Sequence, residues 1–165
     1  MPSPHVPRSV VLDSNVWIDI LVFDDPATRP IRAALEAGTL VALIDARCLT
    51  ELERVLDYPQ FRERALDKAA ALATVARLAR QVASPAQAAA DAAESRPLPR
   101  CKDRDDQKFL ELAHAAQAEW LVSKDRALLK LARRTARDFG FRIAQPAPFV
   151  AACALADGEP EPVSV

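Results

Sequence analysis

Four carboxylates stand at places where a folded chain could bring them together. Asp13 directly follows the apolar run Val10-Val11-Leu12. Asp125 comes just after a second such run, Trp120-Leu121-Val122-Ser123. Glu51 lies one helical turn from both Cys48 and Val55, so it borders the apolar side of a short helix. Asp106 opens a stripe that continues through Phe109, Leu110 and Ala113. Crowded carboxylates repel one another, and a hard divalent cation with oxygen ligands, Mg²⁺ or Mn²⁺, resolves the repulsion. One or two such ions suit phosphodiester hydrolysis, because they activate water and stabilise charge on phosphate oxygens. Each acid also has a plainer reading. Asp is a favoured helix N-cap, and Asp13, Asp106 and Asp125 all sit at helix starts, while Glu51 alone would be an ordinary solvated helix residue. The combination points to a metal site; no one acid does.

The elements that must position these acids follow from hydrophobic period. Ser9 to Leu12 and Leu40 to Ile44 read as buried strands, with Trp120 to Ser123 and Phe141 to Ile143 as shorter ones. Helices are expected over about 16–22, 28–37 and 47–56. Further helices are expected over 61–82, 106–116, 125–139 and from Pro148 to about 156. Gly38 and Gly140 fit helix ends. The stretch from Ser84 to Pro99 reads as a connector. Strands alternating with helices predict an α/β fold, with chemistry at the carboxyl ends of a parallel sheet. The domain is expected over 9–156, after an extended N-terminal segment 1–8 and before a disordered tail 157–165.

Bulk properties narrow the function classes. The chain has 165 residues, half of them hydrophobic, enough for one domain with a sizeable core. No apolar run is long enough to span a bilayer and no signal peptide is evident, so a cytoplasmic location is expected. Three cysteines, Cys48, Cys101 and Cys153, match neither a zinc spacing nor a disulfide framework and read as structural thiols. With only His5 and His114, a histidine-based triad is improbable; His114 reads as a packing residue. The net charge of −1 is uneven: Arg96 to Arg142 holds twelve Lys/Arg and seven Asp/Glu, a local +5, leaving −6 elsewhere. A basic half can attract phosphates.

The motifs in order resemble those of PIN-domain nucleases, in particular a bacterial toxin subgroup that is VapC-like. Val-Val-Leu-Asp13-Ser14-Asn15-Val-Trp resembles the family's opening, hydrophobic-Asp-Thr-Asn. Leu49-Thr-Glu51-Leu-Glu-Arg-Val-Leu-Asp-Tyr-Pro-Gln-Phe resembles the second motif. Arg100-Cys-Lys-Asp103-Arg-Asp105-Asp106-Gln-Lys-Phe resembles the third. Trp120-Leu-Val-Ser123-Lys-Asp125-Arg-Ala-Leu-Leu resembles the fourth, and Pro146-Ala-Pro-Phe149-Val fits the family's close.

The resemblance implies a three-layer α/β/α sandwich around a parallel sheet of four to five strands. It also implies a Mg²⁺- or Mn²⁺-dependent ribonuclease. Asp13, Glu51, Asp106 and Asp125 would hold one or two ions, with Asp103 an additional acid of the third motif. Ser14, Asn15 and Ser123 would shape the site. A cognate antitoxin and a homodimer are further implications. Ser14 and Ser123 replace the commoner Thr and keep the hydroxyl, whereas Lys124 replaces the usual Gly before Asp125. Lys102, Arg104, Lys124 and Arg126 flank the acidic motifs and are candidates for RNA phosphates. Trp17 reads as core or interface packing rather than a base-stacking residue. The competing reading is a non-catalytic PIN scaffold that binds RNA or protein. A phospho-acceptor regulatory domain lacks its acceptor pattern, and a DNA or flap nuclease is open because the acids read phosphate and metal, not sugar.

Overall fold

The structure is a computed structural model, and it describes residues 8–62, 67–83, 98–102 and 104–155. Five parallel strands form one sheet in the order β3-β2-β1-β4-β5. They are β1 (Arg8–Leu12), β2 (Leu40–Ile44), β3 (Ala79–Gln81), β4 (Trp120–Val122) and β5 (Arg142–Ala144). The register pairs Val10 with Ala42 on one side and with Trp120 on the other. Val11, Leu121 and Val122 are wholly buried. Continuous apolar runs are what a sheet covered on both faces requires.

The helices flank this sheet, giving an α/β/α arrangement. They are α1 (Ser14–Ile18), α2 (Arg29–Ala37), α3 (Ala46–Leu56), α4 (Pro59–Arg62), α5 (Lys68–Leu78) and α6 (Gln107–Ala115), followed by α7 (Arg126–Leu129), α8 (Ala132–Asp138) and α9 (Pro146–Ala152). Helix α2 packs on β2, α6 on β1 and β4, and α8 on β5. The core runs through Trp17, Ile31, Leu52, Phe109, Leu110, Phe141 and Phe149. Trp17 is 1% exposed, a core residue as expected. His114 stacks edge-on against Phe139 at 5.4 Å, a packing role. Among the described residues, no helix is long and apolar enough to cross a membrane.

Four expectations need correction. The helix expected to run to residue 82 stops at Leu78, and Ala79–Gln81 pairs in parallel with Ala42–Ile44 as an edge strand. Tertiary pairing overrides the helical propensity of the Ala-rich segment. The helix expected over 125–139 is two helices, because the turn at Lys130 and Leu131 separates Arg126–Leu129 from Ala132–Asp138. The first helix changes after Ile18 to a π-helical turn, Asp19–Phe23, which ends in Asp24 at φ 45°. The last helix starts at Pro146 and stops at Ala152, with Pro at its first turn, where a missing N–H costs nothing. The connector from Ser84 lies largely outside the described residues, as do residues 1–7, the tail and Asp103.

Candidate active site

Strand ends and helix starts coincide at this edge of the sheet. β1 and β4 are adjacent, and each passes directly into a helix-capping acid region. The Asp13 carboxylate accepts a hydrogen bond from the Val16 amide at 2.9 Å and caps α1. Its other oxygen accepts from the Ser123 hydroxyl, which crosses from the end of β4. Ser123 Oγ in turn accepts from the Asp125 amide at 2.9 Å. Asp125 caps α7 through the Leu128 amide at 3.3 Å. Capping and site-building are therefore compatible for both acids, since a carboxylate has more lone pairs than one cap uses. Asp106 precedes α6 but makes no side-chain cap bond.

Helix α3 packs against both α1 and α6, and this brings Glu51 into place. Ser14 Oγ donates to Glu51 Oε2 at 2.9 Å, and Lys108 Nζ on α6 lies 3.2 Å from the same oxygen. A cavity of about 250 Å³ is lined by Asp13, Ser14, Asn15, Glu51 and Asp106, with Ile18, Phe61 and Phe109 among its apolar walls. Asp125 is not in that lining. It joins through Asp106: ligand atoms of Asp106, Asp125 and Cys101 all lie within 4.8 Å of one another. The structure thus gathers Asp13, Glu51 and Asp106 around one cavity, with Asp125 outside its lining but beside Asp106 and joined to Asp13 through Ser123.

Burial pushes the Asp13 carboxyl up to about 6. The Ser123 hydroxyl, the Val16 amide and the charge of Lys124 pull it down, while Asp125 pushes it up. A buried carboxylate held next to other acids is a group that gains from a nearby cation. The oxygen donors Asp13, Glu51 and Asp106 match a hard dication; the Cys101 thiol is a softer donor.

Three residues at this edge, Asp45, Asp19 and Lys108, were not singled out from sequence, and Cys101 was read only as a structural thiol. Asp45 follows β2 as Asp13 follows β1 and is wholly buried. It caps α3 through the Cys48 amide and pairs with Arg47 at 3.2 Å, so it is committed away from the cavity. Burial, with Asp45 alongside, pushes the Cys48 thiol far up, leaving it protonated and inert as expected. Asp19, on the π-helical turn, is 6% exposed and sits 2.5 Å from Lys124 Nζ. Lys108, one residue before Phe109, reaches Glu51. Cys101 is buried beside two acids, and its reading as a purely structural thiol needs amending to that extent. Its amide donates to Gln107 Oε1 at 2.6 Å, and Gln107 Nε2 donates to Pro99 at 3.3 Å, which ties this segment to the start of α6. Lys102, Arg104, Lys124 and Arg126 are exposed around the acids.

A family model for the PIN domain matches residues 9–127, well over half the chain. The chain belongs to the PIN-domain family. A solved structure, that of VapBC2 from Rickettsia felis bound to a DNA fragment from their promoter, is similar with a TM-score of 0.49 and 10% identity. The similarity covers 82% of this chain and 96% of that one. No curated protein matches at a significant level. The family match starts in β1, ahead of Asp13, and ends just after Asp125, so it encloses all four acids.

Proposed function

We propose that this PIN-domain protein is a divalent-metal-dependent endoribonuclease, the toxin of a toxin–antitoxin pair acting in the cytoplasm. The observation that carries the reading is the cavity lined jointly by Asp13, Glu51 and Asp106, from three separate elements, inside a PIN domain. Asp13, Glu51, Asp106 and Asp125 would hold Mg²⁺ or Mn²⁺, one or two ions, with Asp103 as an additional candidate. The ion would supply water activation and stabilisation of charge on the phosphate during hydrolysis of the phosphodiester.

The chain's own groups prepare that chemistry. The Ser123 hydroxyl and Val16 amide fix the orientation of Asp13, and Ser14 fixes Glu51. These bonds support Ser14 and Ser123 as residues that shape the site, and Asn15 lines the same cavity. Lys124 engages Asp19, which keeps a cation beside the acids without bridging them. The exposed Lys102, Arg104 and Arg126 would meet backbone phosphates, and Lys124 would do so from its 45% exposed side chain. A cognate antitoxin would block the open edge of the cavity, and a homodimer is the expected assembly.

The test is incubation of a mixed single-stranded RNA pool, and a matching DNA pool, with and without Mn²⁺. Metal-dependent cutting of RNA by the wild type, absent in Asp13→Asn, is the expected result. Equal cutting by Asp13→Asn would sink the assignment. Binding of RNA with no cutting and no metal uptake would move the reading to a non-catalytic PIN scaffold.

A further inference from the structure

Beside the acid cavity lies a second, larger cleft of about 530 Å³, and the two share Glu51, Val55 and Tyr58. The shared residues fall at intervals of four and three along α3 and the turn after it, so they form one continuous wall. Their character changes along its length. The first cavity is lined by three acids and no cation, whereas the second is lined by Arg47, Arg54 and Lys108 with Glu51 as its acid. Arg47 is engaged by Asp45 and Glu111, and Lys108 by Glu51. The exposed Arg54 has no carboxylate partner among the described residues.

Tyr58 stands where the two meet. It is 44% exposed, one of two large hydrophobic residues so exposed among those described. Its backbone is fixed on both sides: its amide donates to Val55 at 3.0 Å and its carbonyl accepts from the Phe61 amide at 2.9 Å. A half-exposed aromatic ring on a hydrogen-bonded turn, shared by the acidic cavity and the cleft that holds Arg54, is a stacking platform for a base.

We propose that the second cleft is the track of a single-stranded polynucleotide entering the acid cavity, with Tyr58 stacking on a base next to the scissile phosphate and Arg54 holding a neighbouring phosphate. Tyr58 and Arg54 are binding residues; neither touches the reacting atoms. The proposal rests on the nuclease reading for its substrate class, and it adds where the strand runs and what grips it. Stacking tolerates any base, so Tyr58 contributes affinity and register more than sequence choice. Each phosphate contact on a single strand adds about 0.7 to the slope of log affinity against log salt.

The experiment is stopped-flow fluorescence of a short single-stranded RNA carrying 2-aminopurine, mixed with the full chain in Mn²⁺ and read before cutting. A DNA copy of the same strand and an RNA duplex serve as comparisons. The wild type is expected to quench the single-stranded probe, and the duplex much less. Tyr58→Ala is expected to lose the quench and bind about tenfold more weakly, while Tyr58→Phe restores both. Arg54→Gln is expected to keep the quench and lower the slope of log affinity against log salt by about 0.7. Circular dichroism of each variant confirms the fold. Quench and affinity unchanged in Tyr58→Ala, a salt slope unchanged in Arg54→Gln, equal quench by the duplex, or no binding by the wild type would each overturn the proposal. The two readings fail separately. Binding with these signatures and no cutting of RNA or DNA rejects the nuclease reading alone. Normal cutting with KM unchanged in Tyr58→Ala and Arg54→Gln rejects the strand track alone.

Discussion

Asp13 lies 2% exposed between a serine and a backbone amide, and burial is the dominant influence on its proton. Its folded-state pKa of about 6 stands above the ordinary value of 3.8, so between those values the metal-free fold holds more protons than the unfolded chain. Stability contributed by the protonated group is therefore present below pH 4, falls as the pH rises toward 6, and stays lost above it. Asp13→Asn, which keeps a cap acceptor for Val16, is expected to remove that slope. It should stabilise the metal-free chain at pH 7 by about 3 kcal/mol relative to wild type, measured by urea unfolding in EDTA at a series of pH values. Identical slopes in the two proteins would contradict the assignment of the shift to Asp13. Lys124 makes a second residue-level prediction. Lys124→Gly, the residue usual in the family motif, would leave the buried Asp19 without its cation. It should cost about 1–2 kcal/mol of stability, seen as a lower urea midpoint at unchanged m. An unchanged midpoint would mean that the Asp19 contact is not populated in solution.

The principal acids were legible because apolar runs stop at them. Asp13 and Asp125 both follow strands, and Glu51 borders the apolar side of its helix. Asp45 carries the same sequence signal as Asp13, yet its carboxylate turns to Arg47. Sequence places a carboxylate at a strand end but does not say which partner claims it. The same limit applies to Lys124 and Lys108, whose partners Asp19 and Glu51 lie on elements far away along the chain.

At the scale of elements, the buried strands β1, β2 and β4 were readable from apolar runs bounded by polar residues. β3 was not. Ala79-Arg80-Gln81 has neither β-branched residues nor an apolar run, and pairing with β2 alone makes it a strand. The break between α7 and α8 was likewise hidden, because Leu128, Leu129, Leu131 and Ala132 sustain an apolar pattern through it. Gln107 ties the segment 98–102 to the start of α6 through two hydrogen bonds. Gln107→Ala should remove both hydrogen bonds, cost about 1 kcal/mol, and speed amide exchange at Cys101 while leaving exchange in β1 unchanged. Hydrogen exchange resolved by residue checks this; unchanged exchange at Cys101 would show that another contact holds the segment.

For the whole molecule, the sheet order decides what the acids can do together. β1 is central, with β2 on one side and β4 on the other, so the strands that lead to Asp13 and Asp125 end side by side. Helices α3 and α6 then carry Glu51 and Asp106 to the same edge. The exposed Lys102, Arg104, Lys124 and Arg126, within the stretch that carries a local +5, flank Asp106 and Asp125 along the chain. Parallel α/β topology made the convergence expected in outline. Topology does not foretell that Asp125 lies outside the cavity lining, beside Asp106 and Cys101.

Whether these acids form one cation site is tested most directly by a calorimetric titration of Mn²⁺ into the full chain at pH 7. Saturable binding of one or two ions is predicted, at least about tenfold weaker in Asp13→Asn and in Glu51→Gln, and unchanged in Glu53→Gln on the solvent face of the same helix. Binding of equal strength in all four proteins, or no saturable binding in the wild type, would contradict it.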